Sequence, residues 1–220
     1  MIEKKGEIGF LFDLDGVIID SESEYTNIWN QINEEYPSGY EDLPIRIKGT
    51  TLSKILDEYY PQKDLQRHVA DRLHLLEMQM NYNYLPHTKE FLIELKRHNL
   101  PAALVTSSDN MKMERLWAQL PELREFFLYI VTGDQVSHSK PSPEGYLLGA
   151  KKINRQPENC VIFEDSLQGV MAGRNAGAFV VGVCGTLSRE TLAPFSHILI
   201  NDFNEIDLED LIQQVLDEQQ

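Results

Sequence analysis

The stretch Ile8-Gly9-Phe10-Leu11-Phe12-Asp13-Leu14-Asp15-Gly16-Val17 opens as a short apolar run and stops abruptly at two carboxylates. Its length and aromatic content favour a buried strand over a helix. Similar short runs recur at 102–105, 129–131, 161–163 and 179–183, with a weaker one at 197–200. Between them lie helix-length amphipathic stretches at 88–98, 111–120, 143–152 and 167–176. Strands alternating with helices predict parallel crossover units, and so an α/β fold built on a doubly wound parallel sheet.

One segment breaks the alternation. From 21 to 85 no strand pattern stands out, but 24–35, 51–59 and 65–81 carry helical apolar spacing with polar breaks between them. This predicts a small helical domain, residues 21–85, inserted into a core formed by residues 1–20 and 86–220.

The 220 residues, 42% of them apolar and 25% charged, suit a packed globular chain with one substantial core and one small accessory domain. A formal net charge of −15 repels phosphate backbones and anionic lipid, which argues against nucleic-acid and membrane partners. It does not exclude a small anionic ligand, because lysines, backbone N–H groups and a bound cation can invert the field inside one cleft. Cys160 and Cys184 lack CxxC spacing and lie in apolar runs, so they read as reduced core thiols. The six histidines lack metal-ligand spacing, and Trp29 and Trp117 read as core residues. With a polar start and no membrane-length apolar run, the expectation is a cytoplasmic monomer.

Asp13 and Asp15 follow a strand that should end at the carboxyl edge of the sheet, where open α/β folds place ligands. Past a strand end, residues i and i+2 can point into one crevice. One carboxylate can then bind magnesium and attack phosphorus while the other exchanges a proton with the leaving or entering oxygen. A calcium loop of the EF-hand type needs its glycine five positions after the first acid, whereas Gly16 follows after three.

Phe12-Asp13-Leu14-Asp15-Gly16-Val17-Ile18 resembles the first signature of the haloacid dehalogenase superfamily. Three further matches follow in order: Thr106 in Val105-Thr106-Ser107-Ser108, Lys140 in Ser139-Lys140-Pro141, and Glu164-Asp165 in Phe163-Glu164-Asp165-Ser166. The resemblance implies a nucleophile at Asp13 and an acid–base at Asp15. It also implies a phosphate-binding hydroxyl at Thr106 and a charge-neutralising ammonium at Lys140. Magnesium would be held by Asp13, Asp165 and the backbone carbonyl of Asp15, with Glu164 either binding through water or orienting Lys140. Taken singly, a threonine is strand or cap material and a lysine before proline is solvated. Only the ordered set points to phosphoryl transfer.

The helical insert resembles the cap of the β-phosphoglucomutase-like and phosphoglycolate phosphatase-like branch. That likeness implies substrate contacts at Lys48 and Gly49 of the cap, and at Ser107, Ser108 and Asn110 of the core. As plain residues, Lys48 and Gly49 are a solvated lysine beside a turn glycine. The sequence departs from the mutases in two places: Leu52 stands where their cap carries an arginine, and Tyr25 stands where they carry a histidine. Arg46 is a candidate substitute charge. The expected function is hydrolysis of a small phosphate monoester, a sugar phosphate. The alternatives are a phosphosugar mutase and a catalytically silent binding module.

Overall fold

The computed structural model describes residues 7–48 and 50–218. The first strand, β1 (Gly9–Phe12), is buried along its whole length and leads to four helices in succession. These are α1 (Glu22–Glu35), α2 (Leu43–Arg46), α3 (Leu52–Tyr59) and α4 (Lys63–Glu77). The rest of the chain alternates, through α5 (Thr88–Arg97), β2 (Ala102–Val105), α6 (Asn110–Gln119), β3 (Tyr129–Val131), α7 (Glu144–Lys152) and β4 (Cys160–Glu164). It continues through α8 (Leu167–Asn175), β5 (Phe179–Val183), α9 (Arg189–Leu192), β6 (Ile198–Ile200) and α10 (Leu208–Glu218).

The six strands form one parallel sheet in the order β3-β2-β1-β4-β5-β6. The fold class is therefore the doubly wound α/β sheet expected. The chain builds outward from β1 through β2 to β3, then crosses to β4 on the other side of β1. The gap between β1 and β4 is the switch point, where such sheets open a crevice at the strands' carboxyl ends.

Alternation within each strand divides the core between the two faces. Phe10, Phe12 and Phe163 face one layer with Phe91 and Phe203, and Phe12 stacks on Phe163 with ring centroids 4.7 Å apart. Leu11, Ala103, Val105 and Ile162 face the other, with Tyr146, Ala150 and Ile153. Burial on both sides explains why the strands read as nearly continuous apolar runs.

The helical segment leaves and re-enters through paired backbone. The N–H of Asp20 donates to the Asn83 carbonyl at 2.9 Å, the N–H of Leu85 donates to Ile18 at 3.0 Å, and Ile19 bridges Tyr84 in antiparallel fashion. Both crossings meet at one neck beside the carboxyl end of β1. The insert thus sits next to the crevice. Among the described residues no helix is long and apolar enough to cross a membrane.

Candidate active site

Three adjacent strands deliver the site's side chains at their carboxyl ends: β1 leads into Asp13, β2 into Thr106, and β4 ends at Glu164 with Asp165 following. Strand pairing fixes their spacing. The Asp13 N–H donates to the Phe163 carbonyl at 3.0 Å, and the Thr106 N–H donates to Val131 at 2.9 Å. Gly16 closes the turn after Asp15 with φ of 73°, and a Cβ there would lie 2.0 Å from Asp165 Oδ2. Glycine is thus required twice over, by backbone conformation and by the approach of a carboxylate.

Lys140 reaches the centre from the loop before α7. Its ammonium lies 2.5 Å from both Asp13 Oδ1 and Glu164 Oε1, 3.3 Å from the Val105 carbonyl, and 4.9 Å from the centre of the Tyr146 ring. Burial works against its charge, but Asp13 and Glu164 more than offset this and hold it above the usual lysine range. Burial likewise pushes Asp13 up, to about 7, against the pull of Lys140 and with further help from Glu164 and Asp15.

Glu164 is fully buried, and protein donors occupy both of its oxygens. Lys140 and the Tyr146 hydroxyl donate to Oε1; the backbone N–H groups of Asp165 and Ser166 and the Ser166 hydroxyl donate to Oε2. Ser166 also caps α8 by accepting from the Gly169 N–H at 3.0 Å. Gly169 packs directly on this carboxylate, and a Cβ there would fall 1.8 Å from the carboxyl carbon. Gly169→Ala should therefore displace Glu164, cost about 1–3 kcal/mol of stability through overpacking, and lower turnover with it. Thermal unfolding alongside steady-state kinetics checks both effects.

Asp13 and Asp165 each offer an oxygen within 4.8 Å of the other, with Glu164 beside them, a hard carboxylate pair that fits a divalent cation. The Asp15 carboxylate is turned elsewhere. Its Oδ1 accepts from the Ser21 hydroxyl, and its Oδ2 accepts from Ser108 Oγ at 3.1 Å and Lys112 Nζ at 2.5 Å.

Above these groups lies a cleft of about 130 Å³ with a floor that includes Asp13, Asp15, Ser107, Ser108 and Asp165. Its other wall comes from the helical insert and is largely apolar, with Tyr25, Trp29, Ile47, Leu52, Ile55 and Leu73, joined by Lys48 and Thr50. Thr106 lies beside this cleft, buried, with its Oγ accepting from the Ser108 N–H at 3.0 Å.

Not every expected residue converges. Asn110 is exposed at the start of α6, and its carboxamide oxygen accepts from the Thr132 hydroxyl at 3.2 Å, away from the cleft lining. Arg46 is also outside the lining, paired with Asp42 at 2.6 Å and lying over the Tyr40 ring. Gly49 lies outside the described residues. Trp29, expected as core, is buried and also lines the cleft. Sequence reasoning missed Lys112, Glu77, Arg115 and Tyr146. Glu77 accepts from the Tyr25 hydroxyl at 2.6 Å and from Arg115, which joins the insert to α6.

The fold and site define an α/β enzyme with an acidic, lysine-bridged centre at the switch point beneath a helical insert. Residues 10–183 match the family described as haloacid dehalogenase-like hydrolase, and the chain belongs to that family. It is 36% identical over 175 residues to phosphorylated carbohydrates phosphatase of Thermotoga maritima, covering 76% of this chain and 80% of that protein. It is 30% identical over 180 residues to fructose-1-phosphate phosphatase YqaB of Escherichia coli, covering 80% and 95%. Its fold is shared with the structure of β-phosphoglucomutase from Clostridium difficile, at a TM-score of 0.79 and 24% identity, covering 96% of this chain and 97% of the other.

Proposed function

We propose that this enzyme is a magnesium-dependent phosphatase that hydrolyses small phosphate monoesters, sugar phosphates in particular, through a phosphoryl group carried on Asp13. The observation that carries this reading is the convergence on Asp13 of Lys140, at 2.5 Å, and the Glu164-Asp165 pair at the switch point. The phosphatase names of the Thermotoga and Escherichia relatives support it.

Asp13 attacks phosphorus as the leaving oxygen departs with a proton from Asp15. Asp15 then takes a proton from the water that attacks the phosphoaspartate, and Asp13 is released with inorganic phosphate. Lys140 offsets the repulsion between the Asp13 carboxylate and the phosphate dianion, while Glu164 holds the Lys140 ammonium in place. Thr106 and the N–H groups at the start of α6 bind the non-bridging phosphate oxygens. A magnesium ion held by Asp13, Asp165 and the Asp15 carbonyl would add a fixed positive charge on the same oxygens. The insert, residues 21–85, serves as the cap that shields this chemistry from bulk water and contacts the leaving group.

Excess chelator should therefore stop turnover. Asp165→Ala should raise the magnesium concentration for half-maximal activity by roughly tenfold or more, since one of two direct carboxylates is gone. Full activity in chelator would contradict the metal assignment.

A mutase must hold a doubly phosphorylated intermediate and needs positive charge in its cap for the distal phosphate. Here Leu52 lines the cleft, and Arg46 is engaged with Asp42 outside it. The test supplies β-glucose 1-phosphate with a trace of bisphosphate and follows glucose 6-phosphate and free phosphate together, beside a panel of hexose and smaller sugar phosphates. Phosphate release should dominate throughout. Glucose 6-phosphate far outrunning phosphate would make the enzyme a mutase, with Lys48 its cap cation.

A further inference from the structure

Lys112 stands beside Asp15 and has no part in the steps above. It occupies the first turn of α6, its side chain is 4% exposed, and its ammonium lies 2.5 Å from Asp15 Oδ2 and 4.2 Å from the centre of the Tyr25 ring. A buried ammonium is retained only where it is paired, so this placement is costly unless Asp15 and its surroundings compensate it. One turn further along α6, Arg115 bonds Glu77, the residue of the insert that also takes the Tyr25 hydroxyl. Helix α6 thus presents one cation to the core carboxylate and a second to the cap carboxylate.

The donors around Asp15 differ in kind. A lysine ammonium carries only donors, so Asp15 Oδ2 beside it is always an acceptor. The Ser21 hydroxyl at Oδ1 can turn and accept instead. The two oxygens of one carboxyl are thereby made unequal. We propose that Lys112 is a positioning residue that, by holding Oδ2, reserves Oδ1 of Asp15 for the travelling proton and ties that orientation to the cap through Tyr25 and Glu77. This rests on the reading of Asp15 as the acid–base. In the first step the Oδ1 proton passes to the leaving oxygen as its bond to phosphorus breaks and the Asp13–phosphorus bond forms. In the second, water bonds phosphorus, gives a proton to Oδ1, and the Asp13–phosphorus bond breaks.

The test is the dependence of kcat/KM on leaving group, because the leaving oxygen departs in the step that kcat/KM reports. Parent, Lys112→Met, Lys112→Arg and Asp15→Asn are compared on a series from alkyl phosphate through phenyl phosphate to 2,4-dinitrophenyl phosphate, whose phenolate needs no proton. Lys112→Met should lose roughly 10–100-fold on alkyl phosphate and less than about threefold on the dinitrophenyl ester. Lys112→Arg should recover part of the loss. Asp15→Asn should show the same bias, and adding Lys112→Met to it should cost nothing further, since both act through one carboxyl. If Lys112→Met does not fold, Lys112→Gln, which keeps a donor without the charge, carries the same leaving-group bias in smaller measure. A uniform loss across the series, or none, in a folded Lys112 variant overturns the proposal while Asp15→Asn remains biased. A flat series for Asp15→Asn itself would instead remove Asp15 as the acid.

Discussion

Replacing Asp13 with asparagine is expected to lower turnover by roughly 10⁴–10⁶-fold, because an amide oxygen is a poor nucleophile and no neighbouring group takes over the attack. The loss should come without loss of fold. Burial raises Asp13 from 3.8 to about 7, so between those values the folded chain holds this proton more tightly than the unfolded chain does. Its contribution to stability therefore falls as pH rises across that window and stays lost above it. The amide of the variant carries no such charge. In chelator at pH 8, Asp13→Asn should therefore unfold above the parent, with Glu164 still pairing Lys140. Activity assays and calorimetry on one preparation read both effects. An inactive variant that was also much less stable would make Asp13 a structural residue.

Asp15→Asn is expected to lose about 10²–10⁴-fold, the usual contribution of a positioned general acid–base. The smaller loss follows from the role proposed for it: without it Asp13, Lys140 and the Asp13–Asp165 pair remain, and only proton exchange with the bridging oxygen is missing. Asparagine can keep its amide oxygen toward Ser108 and Lys112 while its NH2 donates to the Ser21 hydroxyl, which turns to accept, so the hydrogen bonds around residue 15 have a partner and the fold should hold. Circular dichroism beside the kinetics separates this from unfolding, which would make Asp15 structural.

The sheet and most of the residues gathered on the floor of the cleft could be read from the chain because two kinds of signal coincided. Strands buried on both faces appear as short apolar runs, and in this sheet β1, β2 and β4 lead into the polar residues at Asp13, Thr106 and Asp165. The helical insert was legible from its apolar period, although α4 stops at Glu77 while the pattern suggested a helix to 81. The four-residue α2 is too short to show a period. Helix α10 could have been found, since Leu208, Leu211, Ile212 and Val215 form its buried stripe.

Two of the missed residues, Lys112 and Glu77, share one physical cause. Lys112 and Glu77 lie on helix faces that otherwise pack inward, Lys112 beside Met113 and Leu116, and Glu77 four residues beyond Leu73 and eight beyond Val69. A charge on an apolar stripe is a local inconsistency, and such positions are expected where function outweighs packing. That signal was present in the sequence. Their partners were not, because Asp15 and Lys112 are 97 residues apart and Tyr25 and Glu77 are 52 apart. Asn110 illustrates the converse. It follows the second signature closely in sequence, but as the first residue of α6 its side chain turns to Thr132.

A phosphoryl group carried on Asp13 is revealed by quenching the enzyme during turnover and reducing it with borohydride. An acyl phosphate is reduced where a free carboxylate is not, so peptide mapping should find homoserine at position 13 in samples given substrate and aspartate there in samples without it. Homoserine at another acidic residue, or an unmodified Asp13 in enzyme trapped while releasing phosphate at full rate, would contradict the account.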